Sequence, residues 1–111
     1  MKNLLIRFLC AGLCFGASGL ASAGSQTGHI VHLHVRASDG LIYVILDGPV
    51  SGRPACATIN YWMVKNETSS TGKQQLAQLL AARVSGQEIT IVGTNTCTRW
   101  SDGEDIDDVI F

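Results

Sequence analysis

The sequence predicts a small, mainly β domain in which five strands close a barrel-like sheet and one helix lies between strands three and four. Three observations carry that prediction. Short apolar segments alternate with period two along much of the chain, a single segment shows helical period, and Gly- and Pro-rich stretches separate them.

The elements follow in order. Gly24 to Gly28 is a polar lead-in without apolar period and is expected to be flexible. His29 to Arg36 reads HIVHLHVR, with Val31, Leu33 and Val35 on one face and Ile30, His32, His34 and Arg36 on the other, as in a half-buried strand. Ala37 to Gly40 makes a turn. Leu41 to Asp47 (LIYVILD) is a β-branched and aromatic run too short for an ordinary helix, so the first two strands form an antiparallel hairpin. Gly48 to Pro54 is a loop, and Cys56 to Val64 (CATINYWMV) alternates as a third strand. The period then changes. Ser69, Ser70 and Thr71 offer N-caps, and Lys73 to Val84 places Leu76, Leu79, Leu80, Arg83 and Val84 at helical spacing before Gly86 closes the segment. Gln87 to Thr94 alternates again as strand four, and Ile106 to Phe111 supplies a short fifth strand bearing Ile106, Val109 and Phe111. This order fits the five-stranded Greek-key barrel known as the OB-fold, and the pattern is also compatible with a small open α+β sheet.

Length and composition set the class. Met1 to Arg7 carries Lys2 and Arg7, Phe8 to Phe15 is apolar, and Gly16 to Ala23 is small and ends Ala21-Ser22-Ala23, the layout of a secretory leader cut after Ala23. The apolar run breaks too early for a membrane span, which needs ~20 apolar residues. Removing 23 of 111 residues leaves 88, enough for one small domain with a thin core, in the periplasm or secreted. Cys10 and Cys14 leave with the leader. Cys56 and Cys97 remain, and an even count in an oxidising compartment argues for one disulfide, closing a loop of about 40 residues worth roughly 4 kcal/mol on the chain-entropy account. Six Lys/Arg against nine Asp/Glu then make the domain mildly acidic, without the basic stripe that nucleic acid or an anionic membrane surface would call for.

Several strings resemble the receptor-binding B subunits of the AB5 toxins in the subtilase cytotoxin and typhoid toxin family. They are Tyr43-Val44-Ile45-Leu46, Ala55-Cys56-Ala57, Trp62, Gly86-Gln87 followed by Ile89 and Ile91, and Thr96-Cys97-Thr98, in that order over most of the mature chain. The resemblance implies an OB barrel, a ring of five copies with the helix lining its inner side, a partner catalytic A subunit, and a shallow pocket on each copy for sialylated or related glycans. Cys56 and Cys97 match a family disulfide. A family serine near the start of the first strand falls at Thr27, and the polar loop after the second strand falls at Val50 to Arg53, which makes Ser51 and Arg53 ligand-binding candidates; Arg53 would present a planar cation to a sugar carboxylate. The chain departs from the pattern at Ile45, where the family has a further cysteine, and in lacking a longer aromatic and proline-containing segment before the last cysteine.

Other constellations are weighed on their residues. Trp100 lies in a polar stretch with Arg99 and Ser101 and is a candidate for stacking on a sugar, whereas Trp62 reads as core. His32 and His34 share one strand face roughly 7 Å apart, but a metal site needs a third ligand and His29 falls on the other face, so no metal is assigned. The acidic cluster Asp102, Glu104, Asp105, Asp107 and Asp108 is too close to Phe111 to complete a calcium loop and reads as a solvated edge. Asn66-Glu67-Thr68 reads as the turn before the helix. There is no GxSxG elbow, HExxH, P-loop or dinucleotide turn, so the reading is a binding protein without a cofactor rather than an enzyme.

Overall fold

The computed structural model describes residues 23–111. The leader, apart from Ala23, and the cysteines Cys10 and Cys14 lie outside the described residues. The elements are β1 (Ser25–Gly28), β2 (Ile30–Val35), β3 (Ile42–Leu46), β4 (Val50–Ser51), β5 (Trp62–Met63), α1 (Ser70–Ser85), β6 (Ile89–Gly93) and β7 (Glu104–Ile110).

One mixed sheet runs in the order β2-β3-β5-β7-β6-β1-β4. β1 and β2 are separated only by His29 yet lie far apart in that order, so the sheet curls until a single bent segment pairs with β6 through its first half and with β3 through its second. The fold is therefore mainly β and barrel-like. The bend has a local cause. A Cβ on Gly28 would sit 2.6 Å from the Gly48 backbone nitrogen, while His29 donates its N–H to the Asp47 carboxylate at 2.7 Å and Asp47 returns a bond to the His29 carbonyl at 3.0 Å. All ladders are antiparallel except β5 with β7, which run parallel with Trp62 opposite Glu104.

Inward side chains Ile30, Ile42, Val44, Leu46, Trp62, Val64, Ile89, Ile91, Ile106 and Val109 form one core, closed by Leu79 and Ala82 of α1. Trp62 is fully buried, as the sequence predicts, and its indole N–H finds the acceptor such burial requires in Gln26 Oε1 at 2.8 Å. The Gln26 amide in turn donates to the carbonyls of Leu46 and Gly48.

Five expectations need correction. The lead-in Gly24–Gly28 is ordered, because β1 finds partners in both β6 and β4. In β2 a bulge after Ile30 leaves Val31 outside the ladder, so Ile30 points inward; Leu33 and Val35 keep the expected common face opposite Val44 and Ile42, but on this edge strand Leu33 is half-buried and Val35 exposed. The third strand contracts to Trp62–Met63, since the Arg53 guanidinium takes the carbonyls of Ile59 and Tyr61 that a strand would offer to a neighbour. The helix starts earlier, at Ser70, because Ser69 caps it with Oγ 2.9 Å from the Gly72 nitrogen, and Gly86 ends it at φ 69°. Its buried face is Gly72, Gln75, Leu79 and Ala82, held to β7 by the Gln75 amide on the Asp107 carbonyl, so Leu80 and Val84 face outward. The fifth strand begins at Glu104, two residues before its expected start, and Phe111 is exposed.

Cys56 and Cys97 are bridged with Cα atoms 6.2 Å apart, which is compatible with an oxidising compartment. No helix among the described residues is long and apolar enough to cross a membrane. The bridge joins the irregular 52–61 segment to the 94–99 loop, which share few ladder bonds. Replacing both cysteines by serine is expected to lower stability by roughly 4 kcal/mol, from the loop closed over 41 residues, as read from urea midpoints of the oxidised and double-variant proteins.

Candidate functional site

The acidic cluster splits. Asp107 and Asp108 are exposed, but Glu104 and Asp105 are fully buried, which corrects the expectation of a solvated edge for these two. Each carboxylate is hydrogen-bonded to groups that lack ladder partners, Asp105 more fully than Glu104. Asp105 accepts from Thr96 Oγ1 (2.9 Å), Thr98 N–H (2.9 Å), Thr98 Oγ1 (2.6 Å) and Arg99 N–H (3.0 Å). Burial opposes the charge, yet these donors outweigh it and hold the Asp105 carboxyl below its ordinary range. The 94–99 loop is wrapped on one anion.

That wrapping places a surface. Arg99 follows the loop and lays its guanidinium bidentately on Glu67, both contacts at 3.0 Å, while its Nη2 also reaches the Asp39 carbonyl at 2.9 Å. Asp39 closes the β2–β3 turn by accepting from the Leu41 N–H at 3.1 Å and from Arg36 Nε at 3.0 Å and Nη2 at 2.6 Å; these Arg36 bonds hold Asp39 well below the usual carboxylate range. The Arg36 guanidinium in turn lies 4.7 Å over the Trp100 ring. Tyr61 adjoins Gly103, where a Cβ would meet the phenol ring, and its hydroxyl donates to Asp102. Burial, reinforced by Asp102, pushes the Tyr61 hydroxyl up to about 12. Tyr43 tilts against Tyr61 at 5.5 Å and stacks on His34 at 4.3 Å and 8°. The outcome is a run of planar groups, His34, Tyr43, Tyr61, Trp100 and Arg36, flanked by the carboxylates of Asp39 and Asp102.

The sequence-predicted ligand residues fall in three places. Thr27 and Ser51 share the outward face of β1 and β4 without touching: Ser25 is directly opposite Ser51, and the Thr27 hydroxyl is 2.7 Å from that of Thr90. Arg53 is half-buried, its guanidinium 4.5 Å over the Trp62 ring and its Nη1 on backbone carbonyls, so it closes the barrel wall beside Glu104 instead of standing free in a loop. Trp100 is 39% exposed and lies by the start of β3, whereas Ser51 follows its end; the five residues of β3 span roughly 17 Å. Sequence reading found Trp100 but missed Arg36, Tyr43 and Tyr61 as its neighbours. Their signal was parity: Tyr43 alternates outward between Ile42 and Val44.

His32 and His34 share the outer face with ring centroids 5.8 Å apart, and among the described residues no group of three or more His, Cys, Asp or Glu is gathered for a metal. His29 instead lies 3.5 Å from Asp47. A cleft of about 330 Å3 between the start of α1 and β7 is lined by Lys65, Ser69, Gln75, Thr94 and Asp107 among others, with the Ser69 hydroxyl and Gln75 amide already engaged. Asn66-Glu67-Thr68 forms the expected turn, Asn66 Oδ1 accepting from the Thr68 N–H at 3.1 Å. No family model, curated protein or solved structure matches this chain.

The Asp105 geometry predicts acid sensitivity. Because its folded pKa lies below the unfolded 3.8, its contribution is fully present above about pH 4 and is lost as pH falls through the lower folded value. Asp105→Asn is expected to cost roughly 2–3 kcal/mol at pH 7 and to flatten the fall in stability below pH 4, measured by urea unfolding from pH 7 to 2.

Proposed function

We propose that this protein is an exported carbohydrate-binding module with an OB-type barrel, acting by multivalent recognition of cell-surface glycans in the manner of the AB5 toxin B subunits that its sequence resembles. The observation that carries this reading is the exposed run of planar groups around Trp100. Aromatic faces stack on the C–H faces of sugars, and flanking carboxylates accept sugar hydroxyls, so Trp100, Tyr43 and Tyr61 beside Asp39 and Asp102 have the chemistry of a shallow sugar site. Two features support the fold. If β1 and β2 count as one bent strand and β4 as an addition, five strands remain with the helix between the third and fourth, and the parallel β5–β7 pair closes the Greek key.

Shallow sites bind weakly one at a time, and a ring of five would multiply them by effective concentration. The outward Leu80 and Val84 of α1, 47% and 87% exposed, are apolar surface that helices lining such a ring would cover. The Thr27 and Ser51 hydroxyl face is a second glycan contact by resemblance. A monomeric periplasmic module of the same fold, serving another ligand or a protein partner, is favoured by Ile45 standing where the family has a cysteine.

Light scattering on the oxidised protein should return five times the monomer mass, and a glycan array should show retained binding. Trp100→Ala and Tyr43→Ala are expected to weaken that binding at least tenfold, about 1.4 kcal/mol, with Thr27→Val and Ser51→Ala testing the other face. A monomer that retains no glycan would overturn the proposal in favour of the periplasmic module.

A further inference from the structure

The start of β1 is gripped more tightly than a strand end requires. Gly24 is buried, its carbonyl accepts from the Gly93 N–H at 2.9 Å, and its own nitrogen faces both carboxylate oxygens of Glu104, at 3.2 and 3.0 Å. Glu104 has no solvent exposure and takes one further backbone bond, from the Asn95 N–H at 3.0 Å. The cradle is shaped around this anion: a Cβ on Gly93 would overlap the carboxylate, and one on Gly24 would overlap Glu104 and come within 2.9 Å of Arg53 Cγ. Arg53 adds a nearby cation whose charge burial opposes and Glu104 only partly favours, and its Nε and Nη2 have no hydrogen-bond partner among the described residues, so they do not bond the carboxylate directly.

An amide hydrogen divided between two carboxylate oxygens, one further N–H and an unbonded guanidinium make a poor match for a fully buried charge. An ammonium at the Gly24 nitrogen would fit better, with three donors and a full positive charge. The sequence puts the end of its leader at that atom. We propose that leader removal between Ala23 and Gly24 creates the remaining partner of this cluster, seating the new Gly24 α-ammonium on Glu104 as a buried ion pair that locks the first strand into the barrel. The proposal rests on the leader reading and stands apart from glycan binding. Hydrolysis by a leader-removing endopeptidase adds water across the Ala23–Gly24 bond: the water oxygen joins the acyl carbon, which departs with the leader as the Ala23 carboxylate, and both water hydrogens end on the Gly24 nitrogen, which becomes the ammonium. Because Gly24 is buried in the folded chain, the cut precedes closure of the barrel, so folding and processing are ordered.

Three proteins test this: the full-length chain exported from a bacterial host, a chain made to begin at Ala23, and exported Glu104→Gln. The exported chain should begin at Gly24 by mass. Its α-amine should titrate at least one unit above the ordinary value of about 8, so an amine-reactive label at pH 8 should attach at least about fivefold more slowly than to the Ala23 chain. Glu104→Gln should restore fast labelling. If that variant does not fold, the comparison with the Ala23 chain decides. An exported chain beginning elsewhere, or equal labelling of the Gly24 and Ala23 chains, would overturn the proposal.

Discussion

Two consecutive buried carboxylates, Glu104 and Asp105, organise the part of this molecule that regular secondary structure leaves unsupported. The sheet supplies ladders for β2, β3, β6 and β7, but the 94–99 loop and the start of β1 carry N–H groups with no strand opposite them. Asp105 collects the donors of Thr96, Thr98 and Arg99, and Glu104 collects those of Gly24 and Asn95. Neither anion could remain buried without those donors, and the donors would be orphaned without the anions. The parallel pairing of β5 with β7 depends on the same residues, since Trp62 and Met63 lie opposite Glu104 and Asp105.

The candidate ligand surface depends on this arrangement at one remove. Arg99 leaves the Asp105 wrap already oriented, and its fork on Glu67 ties the turn before α1 to the β2–β3 turn through the Asp39 carbonyl. Trp100 then lies under Arg36, whose own fork on Asp39 fixes the plane of the guanidinium. Exposed ion pairs contribute little to stability singly. Here their effect is geometric: they hold planar groups in fixed relation on a rigid scaffold, which is what a weak and shallow site needs to avoid further ordering costs on binding.

Much of the fold was legible in the sequence because it follows from period. β3 read correctly from its short β-branched and aromatic run, β6 from alternation, α1 from its changed period and its Ser and Gly stops, and the Cys56–Cys97 bridge from an even count. The errors share a cause, which is that tertiary partners overrode local pattern. Ser25–Gly28 looks polar and shapeless, yet β6 and β4 complete it as a strand. A single bulged residue broke the alternation of β2 between Ile30 and His32, and no residue type in HIVHLHVR announces it. Cys56 to Tyr61 alternates as a strand would, but its Ile59 and Tyr61 carbonyls are taken by Arg53. The acidic cluster was misread because composition records charge and not the donors folded around it. For the candidate site, Trp100 could be picked out as an indole among polar neighbours, whereas Tyr43, Tyr61 and Arg36 join it only through the curl of the sheet.

Amide hydrogen exchange at Thr98, Arg99 and Asn95 tests the role of the buried carboxylates most directly, because these N–H groups belong to no strand and donate to Asp105 or Glu104. The account predicts protection comparable to that of β6 and β7, with Asp105→Asn releasing Thr98 and Arg99 while Asn95 stays protected. Exchange of all three at the rate of an open loop in the unmodified protein would contradict it.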